Sequence, residues 1–190
     1  ARNPELVINF YNERRKQLLE VRPNDGHLGL AELEADFNVT VVTQNIDNLH
    51  ERAGSRRIIH LHGELTKVCS SRDPYNPHYI KELKPDEYEV KFGDKAGDGT
   101  QLRPFIVWFG EPVPEIETAV DYVEKADIFV IIGTSMNVYP AAGLLNYVPR
   151  EAEVYLIDPK PVDVHSMRRI HVIQKGASEG VRELRSLLQP

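Results

Sequence analysis

An α/β architecture, a doubly wound and largely parallel sheet with a small inserted module, is predicted by three features of the 190-residue sequence. Short apolar or β-branched runs recur along it. They alternate with segments of helical periodicity, the pattern of strand–helix–strand units whose crossovers cover both faces of a sheet. One stretch, residues 67–99, loses that period and fills with charge, Pro, Gly and Tyr. The chain is therefore divided into a core, residues 1–66 and 100–190, and an inserted module, residues 67–99.

Asn3 before Pro4 reads as an N-cap with proline in the first turn. Leu6, Val7, Phe10, Tyr11 and Leu18 then recur at helical spacing, so the first element is a helix with those residues as its apolar face. A second helix is expected over residues 25–35. Residues 39–43 are short and β-branched, a buried strand. Gln44, Asn45, Ile46 and Asp47 stand at its C-terminal end, the edge where open α/β sheets bind ligands. Residues 58–61 form the next strand, with His62, Gly63 and Glu64 beyond it. Strands over 105–109, 128–132, 154–157 and 170–173 follow, separated by helices near 115–125, 141–147 and 178–188. This order is Rossmann-like.

A hydrophobic fraction of 41% and a charged fraction of 27% are those of a folded globular chain. The net charge of −6 offers no basic field for a phosphate backbone, which argues against direct nucleic-acid binding and suits a basic protein substrate. Cys69, the single cysteine, excludes an internal disulfide and fits a reducing, cytoplasmic setting. No apolar run approaches the roughly 20 residues of a membrane span, and the opening residues lack signal-peptide architecture, so no membrane partner is expected.

Five motifs stand in order along the chain: Thr43-Gln-Asn-Ile-Asp-Asn-Leu-His50, His60-Leu-His-Gly-Glu-Leu65, Val107-Trp-Phe-Gly-Glu111, Gly133-Thr-Ser135 and Val138-Tyr-Pro140. Singly each is weak. Together, in this order, they resemble the sirtuin family of NAD-dependent protein-lysine deacylases, over nearly all of residues 4–188 apart from the module. His60 and His62 share one face of an ideal strand, so spacing alone does not choose between them as general base. The resemblance chooses His62, because the family's catalytic histidine precedes Gly-Glu-Leu.

What the resemblance implies is an enzyme that uses NAD as co-substrate and acyl-lysine proteins or peptides as partners. In that family the acyl oxygen displaces nicotinamide, the histidine activates a ribose hydroxyl, and the acyl group ends on ADP-ribose. It makes His62 the base, Asn45 a catalytic positioner of ribose and water, Gln44 a ribose contact, Ile46 a member of the same cofactor-binding run, and Asp47 an acceptor for the nicotinamide amide. Asn45 and Asp47 equally suit a turn and a helix N-cap, a role compatible with the first. Gly133, Thr134 and Ser135 would touch the cofactor at a strand end, where glycine lets a ligand approach the backbone. Asp158 stands where the family commonly carries Asn, and Ala177 would lie near adenine. Val107, Phe109, Gly110 and Glu111 on one side, and Val138 and Tyr139 on the other, resemble edges that clamp an extended peptide through main-chain bonds. Plain turn chemistry, and core packing for Trp108 or Phe109, are the competing readings.

Tyr11 and Arg14, three residues apart on one helix face, resemble the Tyr-x-x-Arg pair of desuccinylating sirtuins and imply an acyl pocket for a distal carboxylate. Two departures from the family stand out. Tetrahedral zinc needs four ligands and residues 67–99 offer only Cys69 and His78 as clear candidates, so no zinc is expected. The family also opens on a Gly-Ala-Gly-x-Ser type loop that grips pyrophosphate, and no such motif occurs in these residues, which by themselves are expected to hold NAD poorly. The alternative to an enzyme is a non-catalytic module binding acyl-lysine or ADP-ribose. Asn45, Asp47 and His62 favour catalysis, because binding alone requires no base.

Overall fold

A computed structural model describes residues 3–133, 141–161 and 169–188. In chain order these form α1 (Pro4–Glu20), α2 (Asp25–Glu32), β1 (Val41–Thr43), α3 (Leu49–Ala53), β2 (Ile58–His60), β3 (Gly63–Ser70), β4 (Lys81–Glu82), β5 (Leu102–Ile106), α4 (Ile116–Val123), β6 (Ile128–Ile132), α5 (Ala141–Leu144), β7 (Glu153–Ile157), β8 (Ile170–Ile173) and α6 (Ala177–Leu188). They divide into two compact units. One comprises residues 1–22, 45–48 and 62–112, the other residues 23–44, 49–61 and 113–190.

The larger unit is the doubly wound part. β6, β7 and β8 form a parallel sheet in that order, and β1 pairs in parallel with β2. Successive side chains on a strand point to opposite faces. Along β7, accordingly, Val154 and Leu156 enter a cluster with Leu61, Ala119, Val123 and Leu144. Tyr155 and Ile157 enter a different cluster, with Leu33, Ile173, Val181 and Leu184. Both faces are covered, which explains why β7 reads as an unbroken apolar run rather than an alternating one.

The smaller unit joins α1 to an antiparallel sheet ordered β4-β3-β5. β3, eight residues long, is a strand the sequence pattern did not reveal. Its register against β5 shifts between Glu64, opposite Phe105, and Val68, opposite Pro104. Proline has no amide to give to a ladder, and the irregularity falls beside it. β5 also begins earlier than the expected strand and ends at Ile106, leaving Trp108 and Phe109 beyond it.

The face of α1 is corrected as well. Asn3 does cap it, accepting from the Leu6 amide at 3.1 Å. Its buried residues, however, are Ile8, Arg15 and Leu18, while Leu6 and Phe10 are 65% and 51% exposed. Polar members of the buried stripe are matched by acceptors. Arg15 Nε donates to the Leu65 carbonyl at 2.8 Å, and Asn12 exchanges two bonds with the Val90 backbone at 2.8 and 3.0 Å. A search for apolar periodicity passes over such a stripe.

Within residues 67–99 the chain ends are tied by hydrogen bonds. The fully buried Ser70 donates to Asp98 Oδ2 at 2.6 Å and accepts from the Arg72 and Asp73 amides, while Asp98 Oδ1 accepts from the Thr100 hydroxyl and amide. The Ser70 and Thr100 bonds hold the Asp98 carboxyl down at about 2, below its ordinary value. A depressed carboxyl stabilises the fold above its unfolded pKa of about 3.9 and loses that contribution as pH falls toward the folded value. Hydrogen exchange of the Thr100 amide should therefore lose protection between about pH 4 and pH 2 in the native protein. Asp98→Asn should show weaker protection with no such step.

Candidate functional site

In the smaller unit, the catalytic candidates lie where three short segments are sewn to one another. β2 ends at His60, residues 61 and 62 turn, and β3 begins at Gly63. His62 therefore does not extend β2 as a uniform strand would require. Gly63 makes the turn possible. Its φ is +81°, in the left-handed region, and a methyl group on its Cα would overlap the Phe105 carbonyl oxygen. The His62 carbonyl accepts from the Val107 amide at 2.9 Å, and the Ile46 carbonyl accepts from the Leu65 amide at 2.7 Å. Residues 45–48 and 107 are thus tied to the chain on either side of Gly63. Asn45 is exposed, and Ile46, Asp47 and His62 are half-buried.

The two histidines have different surroundings. His60 belongs to the larger unit, and its Nε2 lies 2.7 Å from Glu51 Oε1 on α3. α3 itself begins at Leu49, so Asn48 rather than Asp47 stands at the position directly before the helix.

Val107, Phe109, Gly110 and Glu111 follow β5. Gly110 has φ +86°, and Phe109 is fully exposed, which removes core packing as its explanation. Glu111 is held by Arg103, whose Nη1 and Nη2 reach its two oxygens at 2.6 and 2.9 Å. Those bonds keep the Glu111 carboxyl below its usual range. Arg103 is 8% exposed and went unnoticed in the sequence. Its signal was a cation beside proline in an otherwise apolar strand. On α1, Tyr11 is half-buried and Arg14 exposed. Arg14 Nη1 donates to Gln17 at 3.0 Å and its guanidinium lies 5.1 Å from the Phe10 ring centre.

In the larger unit, Gln44 follows β1, and Gly133, Asp158 and Ala177 stand at or just beyond the C-terminal ends of β6, β7 and β8. The Gly133 amide donates to Ile157 at 2.9 Å and the Asp158 amide to Ile173 at 3.3 Å, which draws these positions along one sheet edge. Gly133 has φ +60° and, among the described residues, nothing within 4 Å of where a side chain would begin. A ligand can lie directly against such backbone. The half-buried Asp158 accepts from the Lys160 amide at 2.8 Å through one of its two oxygens. Thr134, Ser135, Val138 and Tyr139 lie outside the described residues.

With this geometry, comparison with known proteins is direct. The Sir2 family model matches residues 1–140. An NAD-dependent protein deacylase of Bacteroides thetaiotaomicron is 84% identical over 189 residues, covering 100% of this chain and 81% of that protein. One of Helicobacter pylori is 48% identical over 183 residues, covering 96% and 77%. Among solved structures, a Sir2 homologue in complex with NAD superposes with a TM-score of 0.83 at 34% identity, over 100% of this chain and 75% of that one. A Sir2–p53 peptide–NAD complex gives 0.72 at 27% identity, over 90% and 72%. The chain belongs to the Sir2 family. Its fold is the Sir2-like α/β fold, parallel sheets with a small antiparallel module. Among the described residues no helix is long and apolar enough to cross a membrane.

Gly63→Ala should destabilise the protein by about 2–4 kcal/mol, because it combines backbone strain with a clash against main chain that has no rotamer to escape into. Thermal or urea melting checks this. A variant within about 0.5 kcal/mol of the parent would show that the His62 turn does not depend on glycine.

Proposed function

We propose that this chain is an NAD-dependent protein-lysine deacylase in which His62 is the general base, acting on acetyl-lysine and on lysines carrying acidic acyl groups. The observation that carries the reading is the environment of the two histidines. His60 is committed to Glu51, whereas His62 occupies a separate turn, its backbone fixed by Val107 and Gly63. A base must be positioned by its backbone, and the Val107 bond and the Gly63 turn support that role for His62.

NAD, when bound, supplies the acceptor for the acyl group and releases nicotinamide. The residues read from the sequence as its contacts are Gln44, Asn45, Ile46, Asp47, Gly133, Thr134, Ser135, Asp158 and Ala177. Gly133 offers open backbone for close approach, and Asp158 an oxygen for a hydroxyl. Asn45 can donate and accept at once, which orienting a ribose hydroxyl and a water requires, and Asp47 can accept from a carboxamide. Val107, Phe109, Gly110 and Glu111, with Val138 and Tyr139, would hold the substrate as an added strand. The substrates are therefore proteins or peptides bearing acyl-lysine, recognised largely through main chain.

We read residues 67–99 as a module that needs no zinc. Burial pushes the Cys69 thiol up to about 11, and it donates to the Pro104 carbonyl at 3.8 Å, the state of a protonated packing residue rather than a thiolate ligand. The Ser70–Asp98–Thr100 bonds hold the two ends of this segment together. A buried free thiol also suits a cytoplasmic setting.

The acyl preference rests on Arg14. Its hydrogen bond among the described residues goes to the neutral Gln17 amide, so its charge remains available to a carboxylate.

His62→Ala should lower turnover of NAD and acyl-lysine peptide about 10²–10⁴-fold, measured as nicotinamide release. Undiminished release would remove His62 from the chemistry and reopen the non-catalytic reading. Arg14→Met should remove most desuccinylation, about 10- to 100-fold, for a charge-assisted contact of about 1.5–3 kcal/mol, while deacetylation stays within about tenfold. Equal losses on both peptides would mark Arg14 as structural.

A further inference from the structure

We propose that Trp108 is a specificity-positioning residue, which, clamped by Arg103 and Glu111, turns the Tyr11 hydroxyl proton toward the distal carboxylate of an acidic acyl chain. The inference rests on the reading that Tyr11 and Arg14 meet that carboxylate.

The direction of one hydrogen bond carries the argument. Trp108 Nε1 lies 2.9 Å from the Tyr11 hydroxyl oxygen. An indole N–H is donor only, whereas a phenol hydroxyl is one donor and an acceptor. The indole therefore donates and the phenol oxygen accepts. Among the described residues the phenol proton itself has no acceptor. A tyrosine so engaged presents a donor, which suits a carboxylate and offers nothing to an acetyl methyl.

Trp108 is not free to swing away from this role. The Arg103 guanidinium carbon stacks 3.6 Å from the centre of its ring. Its amide donates to Glu111 Oε2 at 2.8 Å, and its carbonyl accepts from the Glu111 amide at 2.9 Å. Glu111 is in turn gripped through both oxygens by Arg103, which also donates to the Ile106 carbonyl at 2.7 Å. Ring and amide of Trp108 are thus fixed by two side chains, one of them buried, and its carbonyl by the Glu111 backbone. The Tyr11 ring is set from the other side by Phe10, edge-on at 5.2 Å.

Trp108→Phe keeps an aromatic ring at Arg103 while removing the N–H together with part of the indole. In the native protein, the expected result is a rise of about 3- to 10-fold in KM for a succinyl-lysine peptide relative to the matched acetyl-lysine peptide, with the ratio of kcat values unchanged. The rise should vanish when Trp108→Phe is made in a Tyr11→Phe background. Equal KM changes on both peptides, or an effect that persists without the Tyr11 hydroxyl, would overturn the proposal. If Tyr11→Phe and Arg14→Met themselves leave the succinyl-to-acetyl ratio unchanged, the acyl-pocket reading fails and this inference falls with it. If those two lower the ratio and Trp108→Phe does not, only this inference fails. Should Trp108→Phe not fold, fluorescence decides, because the protein has a single tryptophan. Tyr11→Phe must shift the Trp108 emission, and the parent emission must respond more to succinyl-lysine than to acetyl-lysine peptide. An unmoved spectrum in either case overturns it.

Discussion

Taking a guanidinium out of water costs several kcal/mol unless acceptors replace the lost hydration, and that constraint organises the smaller unit. Its apolar centre is slight. Ile8, Val68 and Val90 are its buried cluster, with Leu83 and Leu102 beside them. Two arginines, Arg15 and Arg103, are buried in the same unit. Burial lowers Arg15 to about 10, which still leaves it charged at neutral pH. Each cation is therefore met by fixed oxygens: Leu65 and Asn12 for Arg15, Glu111 and Ile106 for Arg103. Those bonds do more than satisfy charge. They fasten α1 to β3 and hold the segment after β5 in one conformation, so the candidate peptide edge inherits its geometry from an electrostatic requirement. Each arginine also keeps one buried N–H without a partner among the described residues, Nη2 of Arg15 and Nε of Arg103. The margin is narrow, and loss of a single acceptor would leave an uncompensated buried charge rather than merely a missing contact.

The larger unit solves the same problem of cohesion with apolar burial. Val154, Leu156 and Ile157 are fully buried on a central parallel strand, and side chains from both faces close over them. Backbone groups at the C-terminal ends of such strands are the ones a packed sheet leaves open for ligands, because the helices that cover its faces begin there. Gly133 and Asp158 stand at that edge because of where their strands stop. Their suitability for a dinucleotide is a property of the fold first and of the side chains second.

This difference in cohesion accounts for what the sequence disclosed. β6, β7 and β8 are apolar runs bounded by turns, and each was legible to within a residue. α1 was legible as a helix from Asn3 and Pro4, but its buried face was not, because Asn12 and Arg15 carry that face through hydrogen bonds that hydrophobic periodicity does not register. β3 was hidden for a related reason. Residues 63–70 alternate imperfectly, and the register shift beside Pro104 interrupts what pattern there is. The motif order identified the family, while the network of Arg103, Glu111, Trp108 and Tyr11 includes a Tyr11–Trp108 bond that spans 97 positions in sequence and was invisible to any local reading.

The two histidines show how a backbone constraint gives like residues unlike surroundings. Two positions apart in a strand, His60 and His62 would present the same face and compete for the same surroundings. Gly63 prevents this. With φ at +81° and its Cα pressed against the Phe105 carbonyl, it admits no side chain, and the chain turns before it instead of continuing β2. His60 stays at the end of β2 and pairs with Glu51, while His62 is delivered to the other unit, with its carbonyl bound by Val107. Glu51 holds the His60 ring from α3. The different surroundings of two chemically identical side chains are thus set by a neighbour with no side chain at all. The Gly-Glu-Leu that follows the catalytic histidine in the family pattern can be understood in that light, since its glycine is what the turn requires.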